Sequence, residues 1–307
     1  MKKGAIMFNK DSIIVLEGDD IQKYQKEVLS VAEDMIRFFD ENRIRYSLSG
    51  GSILGAVRHQ GFIPWDDDID LNMPRKDYDK MCALFDEKLG DRYFLQTPEK
   101  RPELGLMLTQ IRKKGTVARR KYDWESPAEE CGVSIDLYVM ENVFDDPLRH
   151  FIQKNMSMFL TFAVSSVRFR KNMKLPEGIE EMESRKYNYP AVKKLIGRCF
   201  AIIPLKQWIN WCIFWNKACH NSKSKYVAIP TGRKHFAGET YLRSDMCRFR
   251  KVPFENCQFN IPVGAKKFLR KFYGNYMEIP PVEKRERHIF LELSYGDAVG
   301  EEQDNDK

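Results

Sequence analysis

One stretch limits what this chain can become. From Leu48 to Pro74 it reads L-S-G-G-S-I-L-G-A-V-R-H-Q-G-F-I-P-W-D-D-D-I-D-L-N-M-P. Four carboxylates, Asp66, Asp67, Asp68 and Asp70, fall within five positions. Ile69 and Leu71 alternate with Asp68 and Asp70, a period of two that predicts a strand with acids on one face and apolar residues on the other. Like charges on a core strand are costly without a cation to neutralise them. A solvated acidic turn is the competing reading, but Ile69 and Leu71 need burial. A calcium loop is excluded, because counting from Asp66 puts Leu71 where such a loop needs glycine.

Upstream, Gly50, Gly51 and Ser52 follow the strand-like segment Tyr46–Leu48 and precede a helical run from Ile53 to Arg58. That order presents backbone N–H groups to a phosphate. Ser52 is expected to cap the helix, and Arg58 and Arg112 to contact phosphate. His59 reads two ways, as a base or phosphate ligand or as packing at the helix end.

The remaining elements follow from periodicity. Asp19 to Asn42 predicts an amphipathic helix through Ile21, Tyr24, Val28, Val31, Met35 and Phe38, capped by Asp19 or Asp20. Asp77 to Leu89 predicts another helix. Strands are expected at Arg43–Leu48, Arg92–Leu95, Leu106–Lys113 and from Val117. Val133 to Val139 alternates, with Ser134, Asp136 and Tyr138 on the polar face. Asp136 is a candidate third acid if it faces Asp68 and Asp70, and otherwise a cap or turn residue. Further strands are expected at Lys225–Pro230, Met246–Phe254 and Cys257–Ile261, the last two joined by a turn at Asn256. Thr231, Gly232 and Arg233 form a turn that can contact phosphate.

A long helical run from Pro147 to Phe169 and a second from Ala191 to His220, broken at Pro204, are rich in aromatic and basic residues. They predict a helical subdomain, with contact to an anionic membrane as a compatible second role. Residues 171–190 read as a loop or helical hairpin. The division expected is 1–145 catalytic core, 146–222 helical subdomain facing membrane or acceptor, 223–290 an αβ segment completing the core, and 291–307 a disordered acidic tail.

Composition narrows the class. The 307 residues are 43 % apolar, enough for a substantial core, and the formal charge of +7 suits anionic partners. No nucleic-acid motif is present. Seven scattered cysteines without a C-x-x-C pair imply reduced thiols and a cytoplasmic setting. The N-terminal apolar run is too short for a signal peptide, and no 18-residue apolar stretch exists. Peripheral contact with the inner face of the cell membrane stays open.

A glycine turn, a D-x-D strand and a later lone acid outline a metal-dependent phosphoryl-group transferase, with carboxylates holding one or two Mg²⁺ ions and no covalent intermediate required. The run G-S-I-L-G-A-V-R-H-Q-G-F-I-P-W-D-D-D-I-D-L-N-M-P-R-K-D-Y, Gly51 to Tyr78, resembles the signature of the LicD family of phosphotransferases. V-P-F-E-N-C-Q-F-N-I-P at Val252–Pro262 and Y-G-N-Y-M-E-I-P-P at Tyr273–Pro281 resemble its C-terminal part. Asn275 departs from the Asp usual there.

The resemblance implies an α+β, nucleotidyltransferase-type core with a small mixed sheet flanked by helices. It implies transfer of phosphocholine or a related phospho-alcohol from CDP-choline or another CDP-alcohol to a sugar hydroxyl of a cell-surface glycan, which can be lipid-linked. Its positions give Asp68 and Asp70 as the metal pair, Asp66 as the preceding acid and Asp136 as the third. The full expectation is Asp68, Asp70 and Asp136 as catalytic and metal-binding, Asp66 as a further metal ligand, and Gly51, Ser52, Arg58, His59 and Arg112 on the nucleotide, with Mg²⁺ or Mn²⁺ as cofactor. Asp67 is expected to be structural. A choline cage would draw on Trp65, Tyr122, Trp124 or Tyr138. The alternatives are a D-x-D glycosyltransferase using a nucleotide sugar, an enzyme that makes the activated nucleotide, and a non-catalytic glycan-binding protein.

Overall fold

The computed structural model describes residues 13–172, 196–285 and 287–296. In chain order, β1 (Ile14–Val15) leads into α1 (Gly18–Glu41), β2 (Ser47–Leu48), α2 (Gly50–Arg58), β3 (Asp70–Pro74), α3 (Arg75–Leu89), β4 (Tyr93–Gln96), β5 (Thr109–Lys113), β6 (Val117–Arg119) and β7 (Ser134–Asn142). The long helix α4 (Pro147–Asn172) and α5 (Leu205–Asn216) follow. Then come β8 (Tyr226–Ala228), β9 (Thr240–Leu242), β10 (Phe249–Phe254), β11 (Cys257–Pro262), α6 (Ala265–Tyr273), β12 (Ile289–Phe290) and β13 (Glu292–Ser294).

The central sheet is mixed, in the order β2-β3-β7-β5-β4, and β8 and β9 extend it from the far end of β7. β3 and β7 are parallel, while β2, β4 and β5 run antiparallel to their neighbours. Ile69, Leu71 and Met73 with Ile135 and Leu137 are buried on one face. α1 buries Tyr24, Val28, Val31, Met35 and Phe38 in the same core. Truncating one of these, as in Met35→Ala, would cost about 2–5 kcal/mol.

Several local expectations change. The acids at 66–68 precede the strand, and only Asp70 lies within β3. The α1 N-cap is Glu17, without a side-chain capping bond, so Asp19 and Asp20 lie in the first turn, where carboxylates favour the helix dipole. α2 begins at Gly50 with Ser49 as N-cap, so Ser52 lies inside its first turn rather than capping it. The tail from residue 291 is not wholly free of structure, because Glu292–Ser294 pair with Val117–Arg119. Residues 297–307 and most of the 171–190 loop lie outside the described residues.

Two pairings return the C-terminal segment to the core. β12 pairs with β1, with Ile14 opposite Phe290, and β13 pairs with β6. Arg119, buried in β6, fastens the second by donating to the Glu292 carboxylate at 2.8 Å. These pairings fix where His288 falls.

Candidate active site

A cleft of ≈ 880 Å³ opens beside the edge of the sheet where β3 begins. Its floor carries Asp66, Asp68 and Asp70, and Ser49, Gly50 and Gly51 line one wall. Arg168 from α4, Arg233 from the turn after β8, and Lys284 and Arg285 from the C-terminal segment line it too. The cleft therefore has an acidic floor under cationic walls, an arrangement suited to a cation and an anionic donor together.

The sequence builds the floor in two steps. The parallel register sets Asp70 beside Asp136. Residues paired this way share a face, on strands about 4.8 Å apart. Ser52 then fixes the backbone, since its Oγ accepts the Asp70 N–H at 2.9 Å. α2 packs against β3, so the first-turn N–H groups of the helix end beside the acids.

The two glycines bring the backbone close to the acids. A Cβ at Gly50 would lie 2.9 Å from Asp70 Oδ2, and one at Gly51 would lie 2.9 Å from Asp66 Oδ2. Gly50 also has φ +45°, which favours glycine.

The carboxylates strain against one another. Burial raises Asp70 well above the usual carboxylate range, and the charges of Asp68, Asp136 and Asp66 raise it further. Burial and the charges of Asp68 and Asp67 do the same to Asp66. Burial also raises Asp68, against the pull of His288. Asp67 differs. Burial would raise it, but the charges of His288 and Arg120 hold it low. Its carboxylate meets His288 Nδ1 at 2.5 Å and lies 3.8 Å from Arg120. Burial and Arg120 work against the His288 imidazolium, yet Asp67, with help from Asp68, pushes it up to about 9.

Asp67 is thus already neutralised, whereas Asp66, Asp68 and Asp70 are pushed up by burial and by neighbouring carboxylates. Among the described residues, Asp66, Asp67, Asp68 and His288 each offer a ligand atom within 4.8 Å of one another. Because Asp67 and His288 hold each other, the carboxylates left for a hard cation are Asp66 and Asp68, with Asp70 and Asp136 beside them. An all-oxygen, multiply charged donor set of this kind fits Mg²⁺ or Mn²⁺.

Asp136 is held from behind. Gln110 Nε2 donates to Asp136 Oδ1 at 2.7 Å and to the Tyr122 hydroxyl at 2.9 Å. The Gln110 Oε1 accepts from Gln96 at 2.9 Å and from Arg112 at 2.7 Å. Arg112 is itself buried against Asp123 at 2.9 Å. Three side chains, Tyr122, Gln96 and Arg112, therefore fix the amide that holds Asp136.

Measured against the sequence, Asp66, Asp68, Asp70, Asp136, Gly51 and Arg58 come together at or beside the cleft. Ser52, His59 and Arg112 do not face it. Ser52 spends its hydroxyl oxygen on Asp70. His59 ends α2 and accepts from Arg58 Nε at 2.9 Å, and burial followed by Arg58 lowers its pKa. Arg112 is locked in its ion pair. Arg58 lines the cleft while donating to the Tyr276 and Glu278 carbonyls at 2.9 and 3.2 Å.

Of the aromatic candidates, Trp65 and Tyr138 line the cleft, whereas Tyr122 binds Gln110 and Trp124 is not part of the wall. The Arg285 guanidinium lies 4.1 Å from the Trp65 ring centroid. Sequence reasoning missed His288, Arg120, Arg168 and Arg285. His288 sits 221 positions from its partner Asp67, and no local pattern signals such a contact.

Residues 43–191 match the family described as LicD/FKTN/FKRP, nucleotidyltransferase domain. The chain is 23 % identical over 283 residues to the lipopolysaccharide cholinephosphotransferase LicD of Haemophilus influenzae, covering 89 % of this chain and 97 % of that protein. Shorter similarities reach the mannosyltransferase regulator 4 of Saccharomyces cerevisiae, 31 % identical over 100 residues, which is 30 % of this chain and 8 % of that one. The human ribitol 5-phosphate transferase FKRP is 56 % identical over 34 residues, 11 % of this chain and 7 % of that one.

Proposed function

Because residues 43–191 are a LicD-family nucleotidyltransferase domain, we propose that the chain moves a phospho-alcohol, with phosphocholine as first choice, from a CDP-linked donor to a sugar hydroxyl of a glycan or its lipid-linked precursor. The observation that carries this reading is the Asp70–Asp136 register, with Asp66 and Asp68 alongside, under the N-terminus of α2. The relative that the chain covers to 97 % of its length, named a lipopolysaccharide cholinephosphotransferase, supports phosphocholine as the group moved and a glycan as acceptor.

Asp68, Asp70 and Asp136 are the residues to hold a divalent cation, with Asp66 as a further ligand. When bound, such an ion neutralises phosphate oxygens and stabilises the leaving group. The chain's own groups do the rest. The N–H groups at the start of α2, on the cleft wall, would hold the diphosphate. Arg233, Lys284 and Arg58 line the facing walls and balance its charge. The acceptor hydroxyl oxygen forms the new bond to phosphorus, the bond from phosphorus to the CMP oxygen breaks, and a carboxylate of the cluster takes the hydroxyl proton. Gln110 keeps Asp136 in one orientation throughout.

The test is a donor panel of CDP-choline, CDP-ribitol and CDP-glycerol, with CTP plus phosphocholine as a separate arm. CMP from one CDP-alcohol, with the acceptor gaining the matching mass, supports the reading. Pyrophosphate from the CTP arm alone would make this an enzyme that builds the donor instead.

A further inference from the structure

The helical pair α4 and α5 is apolar on two faces, and only one of them is used inside the protein. Leu160, Ala163, Val164 and Val167 of α4 pack on Trp208, Ile209 and Cys212 of α5 in a cluster separate from the main core. A second stripe, Leu148, Ile152, Phe159 and Phe162, runs along α4 at spacings of three, four and seven and is exposed, as is Phe151 beside it. Phe214 and Leu148 are each 66 % exposed, and Ile202 is 86 % exposed.

Ring contacts make this one surface. Phe159 and Phe162 lie 5.9 and 6.5 Å from Phe200, and the exposed Trp211 lies 5.3 Å from Trp208 of the packed cluster beneath. At one end, between Ile152 and Phe214, the surface opens into a notch of ≈ 490 Å³ flanked by Arg149 and Lys217.

Among the described residues of the two helices, the charge has one sign. Neither Pro147–Asn172 nor residues 196–238 contain an Asp or Glu, while Arg149, Lys154, Arg198, Lys206, Lys217 and Lys223 lie within them. At the edge of α4, Asp145 and Asp146 each accept a backbone N–H, from Lys225 at 2.7 Å and Arg149 at 2.8 Å. A contiguous exposed apolar surface in a soluble chain marks a contact site. Aromatics with basic residues, and no acid among the described residues of either helix, match the interface of an anionic bilayer, where rings enter the headgroup boundary and cations meet lipid phosphate.

We infer that this face of α4 and α5 lays the protein on an anionic membrane surface. No helix among the described residues is long and apolar enough to cross a membrane, so the contact is peripheral. Ser165 and Arg168 line the catalytic cleft, and Ser165 is three residues beyond Phe162, about one helical turn. The bilayer surface therefore meets the protein next to the cleft mouth. Only the purpose of the contact, access to a lipid-anchored acceptor, rests on the function proposed above.

The test is flotation of the full chain with vesicles of phosphatidylcholine alone or mixed with phosphatidylglycerol. Binding is expected to mixed vesicles and to weaken in high salt. Leu148→Glu/Phe151→Glu/Phe214→Glu should cut the bound fraction by about tenfold or more, and so should Arg149→Ser/Arg198→Ser/Lys206→Ser. Both variants should keep the wild-type circular dichroism spectrum. Asp70→Asn should float like wild type, which separates this inference from the catalytic one. No binding to mixed vesicles, or binding that neither triple variant alters, overturns it. Self-association by sedimentation that the apolar variant abolishes, without vesicle binding, also overturns it by giving the face to a second copy.

Discussion

Asp70 and Asp136 stand at the same register on adjacent parallel strands, and burial, with the charges of Asp68 and Asp136, makes Asp70 costly to ionise. Function and stability should therefore move in opposite directions at this pair. Asp70→Asn should reduce transfer by roughly 10²–10³-fold, as loss of a group that stabilises transition-state charge does. In EDTA at neutral pH the same variant should melt above wild type. The sign follows from the raised pKa: the cost of ionising Asp70 is absent at low pH and grows as pH rises. Thermal melts across pH, with and without Mg²⁺, measure both effects. A variant that melts lower than wild type in EDTA would contradict the account of repulsion.

Gly51→Ala should leave the secondary structure intact and weaken metal dependence, because the new methyl group would press on Asp66 Oδ2 at 2.9 Å. The expected result is a rise in the Mg²⁺ concentration needed for half-maximal activity. A change in donor KM at saturating Mg²⁺, with no change in the metal requirement, would count against it.

Arg112→Ala should be a stability variant. Removing the guanidinium leaves Asp123 buried and unpaired, which costs about 3–5 kcal/mol, read as a fall in the urea midpoint. If Arg112 bound phosphate, the variant would instead stay stable and raise the donor KM.

Much of this was legible in the sequence, and the limits follow physical lines. The acids, the glycines and the α1 stripe announce themselves because charge clusters and helical periodicity are local. Asp136 was readable as a lone acid on an alternating strand, but its relation to Asp70 depends on strand order, which periodicity does not encode. Arg112 looked like a phosphate ligand because basic residues near a site usually are; its partner Asp123 reaches it only after β5 and the following turn fold together. His288 and Arg168 come from distant elements, so only the tertiary structure brings them to the cleft.

Glu239, on the wall of the same cleft, supplies a second pH test. Burial pushes its carboxyl up to about 7, although the Lys234 N–H and the charges of Lys271 and Lys234 favour the ion. The folded pKa lies above the unfolded one, so the stability it lends is complete below about 4.5 and is lost as pH rises through 7. Glu239→Gln should match wild type in acid and become more stable than wild type by up to roughly 3 kcal/mol above pH 7. Equal midpoints at both ends of the range would contradict it.

The central claim is that the carboxylates around Asp70 and Asp136 hold a divalent cation that drives breakage of a CDP-alcohol. Its most direct measurement is CMP release from CDP-choline by wild type and Asp70→Asn, each with Mg²⁺ and with EDTA. Release by wild type in Mg²⁺, abolished by EDTA and by the substitution, is the predicted result. Equal release in EDTA, or full release by Asp70→Asn, would contradict it.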